Sequence, residues 1–284
     1  MRFTKMQAYG NDYVYIDAIN QQLDNLSELA RFVSNRHFGI GSDGMVLICP
    51  SDVADFKMRI FNPDGTEAEM CGNAIRSVGK YVYDHKLTDK HVLKIETLSG
   101  VKTLELTITD GLVSNIRANI SKPIFDAKLI PVNTLKEEFI MEDVEILDTT
   151  FKMSSLSWGN PHTVIFVDDV MNFDVEKYGP LIEYNTKVFP KRTNVTFAQI
   201  VNKDYIKIRE WERGTGETIG CGTGCSTAVV IASRLGLTNR KCIVEQIGGP
   251  LEIEYSDSGE LFMKGPSNFV FESDIDVSHI IGGE

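Results

Sequence analysis

The chain repeats itself at a separation of about 150 residues, and this duplication constrains its fold more than any other feature. Several landmarks recur in the same order, and the pairs are Asn11 and Asn160, Glu67 and Glu217, Cys71 and Cys221, and Gly72 and Gly222. The apolar segment 13–17 aligns with 164–168. A fixed separation over ordered landmarks is typical of two copies of one structural unit. We therefore expect two structurally equivalent halves that pack against each other.

Each half carries the same coarse pattern of many short strands and few helices. Alternating apolar residues predict strands at 56–61 and 205–211. Helical runs are predicted at 26–35, 74–83 and 226–235, and turn residues predict hairpins at 110–111 and 257–259. Because no regular alternation of strand and crossover helix is evident, we expect an α+β fold of mixed α/β composition. It has two pseudo-symmetric domains, each a curled, mostly antiparallel sheet around one central helix.

The repeat also sets the expected domain boundaries. We place the N-terminal domain, which carries Cys71, at residues 1–120 and the C-terminal domain, which carries Cys221, at residues 121–264. The tail 265–284 follows the last predicted hairpin, and we expect it to return to the N-terminal domain and complete it.

The charge of the chain argues against several kinds of partner. Its 29 Lys and Arg residues against 40 Asp and Glu residues give a formal net charge of −11. So acidic a chain offers no basic surface for nucleic acid or for an anionic membrane. No apolar run reaches the roughly 18 residues that a membrane-spanning helix needs, and the first residues do not resemble a signal peptide. We therefore predict a cytoplasmic protein with no nucleic-acid or membrane partner.

The five cysteines do not suggest a disulfide framework or a zinc site. Their number is odd, and no further Cys or His pair at zinc spacing complements Cys221 and Cys225. Cys49 and Cys242 are expected to be ordinary buried thiols. Cys71 and Cys221 differ from these, because each directly precedes a glycine and a predicted helix.

The start of a helix suits both a reactive thiol and a bound anion. Its first N–H groups lack partners and carry the positive end of the helix dipole. This environment lowers the pKa of a thiol, and a glycine lets a carboxylate approach the backbone closely. A packed cysteine beside a turn glycine would explain one such site, but two matched sites favour a function.

Two matched thiols suit the inversion of a stereocentre. One thiolate can remove the α-proton of an amino acid while a thiol on the opposite face returns a proton. Helix-start N–H groups would stabilise the negative charge that develops on the carboxylate. A pyridoxal enzyme would instead need a Schiff-base lysine and a phosphate cup, and no glycine-rich phosphate loop is evident. The expected activity is a racemisation with a small-molecule amino-acid substrate and with no cofactor and no metal.

The chain resembles the diaminopimelate epimerases, a family of cofactor-independent amino-acid racemases, over essentially its full length. The stretches that carry the resemblance are 3–6, 10–12, 61–67, 70–73, 159–162, 194–197, 211–214, 216–218 and 221–224. The resemblance implies two pseudo-symmetric domains, an active homodimer, and conversion of LL-diaminopimelate to its meso form.

The resemblance also implies roles for individual residues. Cys71 and Cys221 are the expected acid–base pair, with His162 as an auxiliary residue close to them. The expected substrate-binding residues are Asn11, Asn62, Gly72, Asn73, Asn160, Asn194, Glu212, Arg213, Gly222 and Thr223. Among these, Arg213 is expected to pair with the distal carboxylate of the substrate and Glu212 with an ammonium group. Without the resemblance, the asparagines could be turn residues and Glu212 with Arg213 a solvated pair.

Two alternatives remain at this point. A racemase of another polar amino acid, such as histidine, could use the same fold and the same two thiols. A dithiol protein without enzymatic activity could use Cys71 and Cys221 in redox chemistry or for metal binding.

Overall fold

A computed structural model describes residues 1–281 of the chain. Its helices are α1 (Leu26–Ser34), α2 (Gly72–Asp84), α3 (Val175–Glu183), α4 (Gly222–Arg234) and α5 (Ser278–Ile281). Its strands are β1 (Arg2–Ala8), β2 (Asn11–Asp17), β3 (Met45–Cys49), β4 (Phe56–Phe61), β5 (Glu67–Ala68), β6 (Val92–Thr97), β7 (Gly100–Thr109), β8 (Leu112–Ser121), β9 (Glu142–Ile146), β10 (Thr149–Ser157), β11 (Pro161–Phe166), β12 (Asn194–Asn202), β13 (Tyr205–Glu212), β14 (Gly216–Thr218), β15 (Lys241–Gln246), β16 (Gly249–Tyr255), β17 (Leu261–Gly265) and β18 (Asn268–Asp274).

Internal contacts divide the chain into two compact units. Unit 1 is Met1–Asn119 together with the C-terminal segment from Lys264, and unit 2 is Ile120–Met263. Among the described residues 1–281, no helix is both long and apolar enough to cross a membrane.

Unit 1 is a mostly antiparallel sheet. Its strands pair in the order β18, β1, β2, β3, β4, β6, β7 and β8. The pairs β2–β3 and β4–β6 are parallel, and the short β5 adds to one end of β4. Helix α2 packs against β1, β2, β4 and β7. Residues 73–82 of this helix are all buried, so its first turn is held firmly in the unit.

Unit 2 repeats this arrangement. Its strands pair in the order β9, β10, β11, β12, β13, β15 and β16, with β11–β12 and β13–β15 parallel and β14 added to one end of β13. Helix α4 packs against β10, β11, β12, β13, β15 and β16. Residues 224–232 of α4 are all buried, as in the matching helix of unit 1.

The expected fold class is confirmed, with one addition. Both units are mixed sheets in which antiparallel pairs dominate and one long helix is central. The structure nevertheless contains strand–helix–strand crossovers that are not evident in the sequence, because each of α1, α2, α3 and α4 lies between two strands that pair in parallel. Parallel neighbours require such a crossover. Because hairpins lie between successive crossovers, the sequence does not show a regular alternation of strands and helices.

The sheet register also corrects one part of the internal alignment. Tyr15 and Val164 occupy equivalent places in the first parallel strand pair of each unit. It follows that Tyr13 in unit 1 is equivalent to His162 in unit 2. This equivalence differs by two residues from the alignment of the two apolar segments in the sequence.

Candidate active site

Cys71 caps the N-terminus of α2 and contacts a predicted binding residue. Its backbone is extended, with φ −137° and ψ 124°, and Gly72 is the first helical residue. The Cys71 thiol donates to Oδ1 of Asn11 at 3.5 Å, and Nδ2 of Asn73 donates to the same oxygen at 3.4 Å. Four of the predicted residues of unit 1 therefore meet at one helix start.

The orientation of Asn11 is set by a charged network that the sequence did not reveal. Nδ2 of Asn11 donates to Asp43 at 2.9 Å, and the backbone N–H of Asp12 donates to the same carboxylate oxygen at 3.1 Å. Arg36 donates to the other oxygen of Asp43 at 2.8 Å. Because the amide nitrogen of Asn11 is engaged, its carbonyl oxygen is directed at Cys71.

Arg76 is a second residue that sequence reasoning missed. It is completely buried one turn into α2, where it donates to Oδ1 of Asn73 at 2.6 Å and to the carbonyl of Gly72 at 2.9 Å. Its guanidinium lies 5.7 Å from the centre of the Tyr9 ring. A buried arginine is rare unless it is paired, but its burial cannot be read from the sequence, which shows only an arginine within the predicted helical run 74–83. Arg76 fixes Asn73 and places a positive charge in the first turns of α2.

Tyr13 also reaches this helix start. Burial raises the pKa of its hydroxyl well above the usual value, and the neighbouring Cys71 raises it further. Tyr13 occupies the place that His162 takes in unit 2, so the corrected internal alignment is the signal that identifies it.

Among the described residues, no hydrogen bond joins Asn62 to Cys71. Its side chain donates to the hydroxyl of Thr66 at 3.0 Å, and its backbone N–H donates to the carbonyl of the same residue at 2.8 Å. These contacts close the turn between β4 and β5. The structure therefore shows Asn62 in a turn, and its role in substrate binding stays a prediction.

Cys221 caps α4 in unit 2, and its sulfur accepts a backbone hydrogen bond. The N–H of Gly224 donates to Sγ at 3.3 Å, and the hydroxyl of Thr223 lies 3.4 Å from Sγ. The backbone N–H of Cys221 donates to Oε1 of Gln246 at 2.9 Å. The predicted residues Cys221, Gly222 and Thr223 thus form the first turn of one buried helix.

The expectation that a helix start lowers the thiol pKa is wrong for Cys221. Burial raises the pKa of this thiol well above its usual value, and the charges of Glu212 and Glu210 raise it further. The hydrogen bonds from Thr223 and Gly224 act in the opposite direction but do not offset these effects. The helix dipole is only one contribution, and loss of hydration outweighs it when the sulfur is buried.

The remaining polar residues of unit 2 form a connected set around the end of β13. The backbone N–H of Arg213 donates to Oδ1 of Asn194 at 2.9 Å, and Nδ2 of Asn194 donates to the carbonyl of Pro161 at 2.8 Å. Thr218 donates to Oε1 of Glu212 at 2.6 Å. These bonds fix the backbone beside Arg213 and the carboxylate of Glu212.

Asn160 and Arg213 make local contacts at the edges of this set. The carbonyl of Asn160 accepts a hydrogen bond from the N–H of Trp158 at 3.2 Å, within the turn between β10 and β11. The guanidinium of Arg213 donates to the carbonyl of Lys191 at 3.1 Å. Their roles in substrate binding stay predictions.

His162 lies inside the sheet face that packs on α4. It is fully buried, and its Nδ1 lies 3.6 Å from Oε1 of Glu210. Glu210 was not singled out from the sequence, although a carboxylate in an otherwise alternating apolar strand is a signal that could have identified it.

Of the two cysteines expected to be ordinary buried thiols, Cys242 is buried and Cys49 is only partly buried. All five are free, and Cys242 is buried with its thiol donating to the carbonyl of Asn239 at 3.3 Å. Among the described residues 1–281, no three His, Cys, Asp or Glu side chains are grouped so that they could hold a metal ion.

Comparison with known proteins identifies the family. The family model of diaminopimelate epimerase matches residues 3–120 and 154–270, which is more than half of the chain. The chain belongs to the diaminopimelate epimerase family. A relative named diaminopimelate epimerase from Methanococcus maripaludis is 50% identical over 278 residues, covering 98% of this chain and 100% of the relative. Another with that name, from Acetivibrio thermocellus, is 50% identical over 282 residues, covering 99% and 100%.

Solved structures of more distant proteins share the fold of this diaminopimelate epimerase family member. A phenazine biosynthesis protein of the PhzF family from Bacillus anthracis aligns with a TM-score of 0.68 at 18% identity, over 98% of this chain and 99% of that chain. A probable proline racemase from Agrobacterium radiobacter K84, with bound carbonate, aligns with a TM-score of 0.68 at 14% identity, over 97% and 93%. At these identities the likeness concerns the fold alone.

Proposed function

We propose that this protein is a diaminopimelate epimerase, which interconverts LL- and meso-diaminopimelate for lysine and peptidoglycan synthesis. The observation that carries the proposal is the matched placement of Cys71 and Cys221, each at the N-cap of the buried central helix of a repeated unit. Relatives that are 42–50% identical over nearly the whole chain and bear that name support it.

The proposed chemistry is a proton transfer on each face of one α-carbon. The thiolate of one cysteine takes the α-proton and becomes a thiol, and the electron pair stays on the substrate as a carbanion. The thiol of the other cysteine then donates its proton to the opposite face and becomes a thiolate. Backbone N–H groups at the start of α4, at Gly222 and Thr223, are suited to stabilise the charge on the reacting carboxylate. No cofactor takes part in this sequence.

We further propose that Arg213 and Glu212 hold the end of the substrate that does not react. A guanidinium binds a carboxylate with two parallel hydrogen bonds, and a carboxylate pairs with an ammonium group. Asn194 holds the backbone of Arg213, and Thr218 holds the carboxylate of Glu212. The asparagines 11, 62, 73 and 160 complete the proposed set of polar substrate contacts, and His162 has an auxiliary role beside the cysteines.

We also propose that the protein acts as a homodimer, through strand β18 of unit 1. All seven residues of β18 are exposed, including the apolar Phe269, Val270 and Phe271. An exposed apolar strand tends to associate with another chain, and a dimer interface would cover it.

Light scattering on a size-exclusion column tests the dimer. The unmodified protein should elute as a dimer and Val270→Asp as a monomer, because the new charge would be buried in the interface. Leu135→Asp, at an even more exposed apolar position in unit 2, should remain dimeric. A monomeric unmodified protein, or dimers in all three, would refute this interface.

The function is tested by incubating the purified protein with pure LL-diaminopimelate and separating the stereoisomers on a chiral column. Formation of the meso isomer, unchanged by excess EDTA, supports the proposal. Conversion of histidine or lysine in its place would identify a racemase of another polar amino acid. No conversion of any amino acid would favour a dithiol protein without this activity.

A further inference from the structure

A buried carboxylate that the proposed mechanism does not use lies on the face of β13 that packs on α4. Glu210 is only 2% exposed, and its Oε2 accepts a hydrogen bond from Thr196 at 2.5 Å. Its Oε1 lies 3.6 Å from Nδ1 of His162. Within residues 1–281, neither this oxygen nor either ring nitrogen of His162 has a hydrogen-bond partner. A buried polar group in this condition costs stability, so its presence calls for a functional explanation.

Glu210 lies directly against the helix turn that holds Cys221. A Cβ built on Gly224 would overlap the Glu210 carboxylate, so the carboxylate packs against the Cα of this glycine. The N–H of the same glycine donates to Sγ of Cys221 at 3.3 Å. Gly224 therefore contacts both the buried carboxylate of Glu210 and the sulfur of Cys221.

The fold itself does not require a carboxylate at this place. Thr196 pairs with Glu210 in unit 2, and Val46 pairs with Ile60 at the equivalent place in unit 1. An apolar side chain therefore fills the same position under the other cysteine helix. Unit 1 carries a buried positive charge near its helix start instead, on Arg76.

A carboxylate at this position acts on the proton affinity of Cys221. The first turn of α4 offers one set of N–H groups and one positive dipole end to any nearby negative charge. Because Glu210 already lies there, a second negative charge on the sulfur is less favourable. The charge of Glu210 is one of the causes that raise the pKa of the Cys221 thiol, after burial and Glu212.

We propose that Glu210 is a positioning residue that holds Cys221 in its protonated form in the resting protein. Unit 1 has no counterpart of this carboxylate, since Ile60 occupies the equivalent place. The proton balance of the transfer is unchanged, since Glu210 acts on Cys221 through the helix turn and not on the substrate.

The ionisable groups that face this turn come from several elements of unit 2. They are His162 on β11, Glu210 and Glu212 on β13, and Cys225 on α4 itself. Strands β12 and β15 present the uncharged Thr196 and Gln246. Removing only the charge of Glu210 should therefore lower the pKa of Cys221, and the thiolate should form at lower pH.

The direct test is carbon-13 NMR of protein labelled at the β-carbon of cysteine, since this resonance responds to ionisation of the sulfur. The signal of Cys221 is assigned from the spectrum of Cys221→Ala. In Glu210→Gln, which keeps the shape of the side chain, the titration should move to lower pH by at least about half a unit. The thiolate fraction at a fixed pH below the midpoint then rises about threefold. Glu210→Ile, which installs the residue of unit 1, should give the same shift.

Glu217→Gln is the matched control. Its carboxylate lies on the neighbouring strand β14, bound to Arg209, and faces away from Glu210. It should leave the Cys221 titration unchanged. An unchanged titration in Glu210→Gln, or an equal shift in the control, would overturn the inference.

The consequence for turnover rests on the proposed function. The pH profile of kcat/KM for diaminopimelate should move to lower pH in Glu210→Gln and stay in place in Glu217→Gln. Because the NMR titration needs no substrate, a shifted Cys221 titration in a protein without racemase activity would support this inference while refuting the proposed function.

Discussion

At the scale of single residues, the two cysteines hold equivalent places but different partners. Cys71 donates to the side chain of Asn11, whereas the sulfur of Cys221 accepts from the backbone of Gly224. The bond that Cys221 accepts favours a negative charge on its sulfur, but burial and the charges of Glu212 and Glu210 outweigh it and raise the pKa of this thiol. The repeat therefore supplies two thiols, and their surroundings make them different.

Removal of either thiol should abolish most of the activity. We expect Cys71→Ala and Cys221→Ala each to lower kcat for diaminopimelate by about 10²–10⁴-fold, the usual loss when an acid–base group is removed. Circular dichroism should show that both variants stay folded. Cys49→Ala and Cys242→Ala should retain nearly all activity, since their thiols lie outside the two helix starts. Wild-type turnover in Cys221→Ala would rule out the two-thiol mechanism.

Arg213 should determine which amino acids are accepted. Lysine has the distal ammonium group of diaminopimelate but not its second carboxylate, so it isolates the contribution of this arginine. We expect kcat/KM for lysine to be lower by about a hundredfold or more, which is about 2.7 kcal/mol of lost transition-state binding. Arg213→Lys should weaken turnover of diaminopimelate while leaving the trace activity on lysine unchanged, because Lys keeps the charge but lacks the planar fork. Equal turnover of both substrates by the unmodified protein would refute this role.

At the scale of elements, the sequence predicted the central helices but not their starts. The helices begin at Gly72 and Gly222, two and four residues before the predicted starts, because glycine has low helix propensity and conceals a first turn. Helix α3 had no predicted bounds, since Gly179 and Pro180 interrupt its helical pattern. Strand β4 spans the predicted residues, because its alternation is regular.

The first turn of α4 should tolerate a methyl group at one glycine but not at another. A Cβ on Gly224 would overlap the buried carboxylate of Glu210, whereas a Cβ on Gly222 would meet the flexible Met263 at 3.0 Å. We expect Gly224→Ala to lower the free energy of unfolding by about 1–3 kcal/mol through overpacking. Gly222→Ala should change it by less than about 1 kcal/mol. Urea denaturation measures both, and equal values would show that the carboxylate does not fill this space.

At the scale of the whole molecule, most of the features that the sequence could predict follow from the internal repeat. It predicted two equivalent units with one cysteine helix each, since the landmarks lie at a fixed separation. It could not predict that Asp43 orients Asn11, or that Glu210 lies beside His162, because these partners are 32 and 48 residues apart in sequence. Such contacts depend on strand register, which was also misaligned by two residues at Tyr13.

The central claim, that two thiols act on one α-carbon, is tested most directly by isotope exchange. Pure LL-diaminopimelate is incubated with the protein in D₂O and, early in the reaction, both stereoisomers are isolated and analysed by mass spectrometry. Since one cysteine removes the proton and the other delivers a deuteron from solvent, the meso product should carry one deuterium. The recovered LL isomer should remain unlabelled. Equal labelling of substrate and product, or a product without deuterium, would contradict the account.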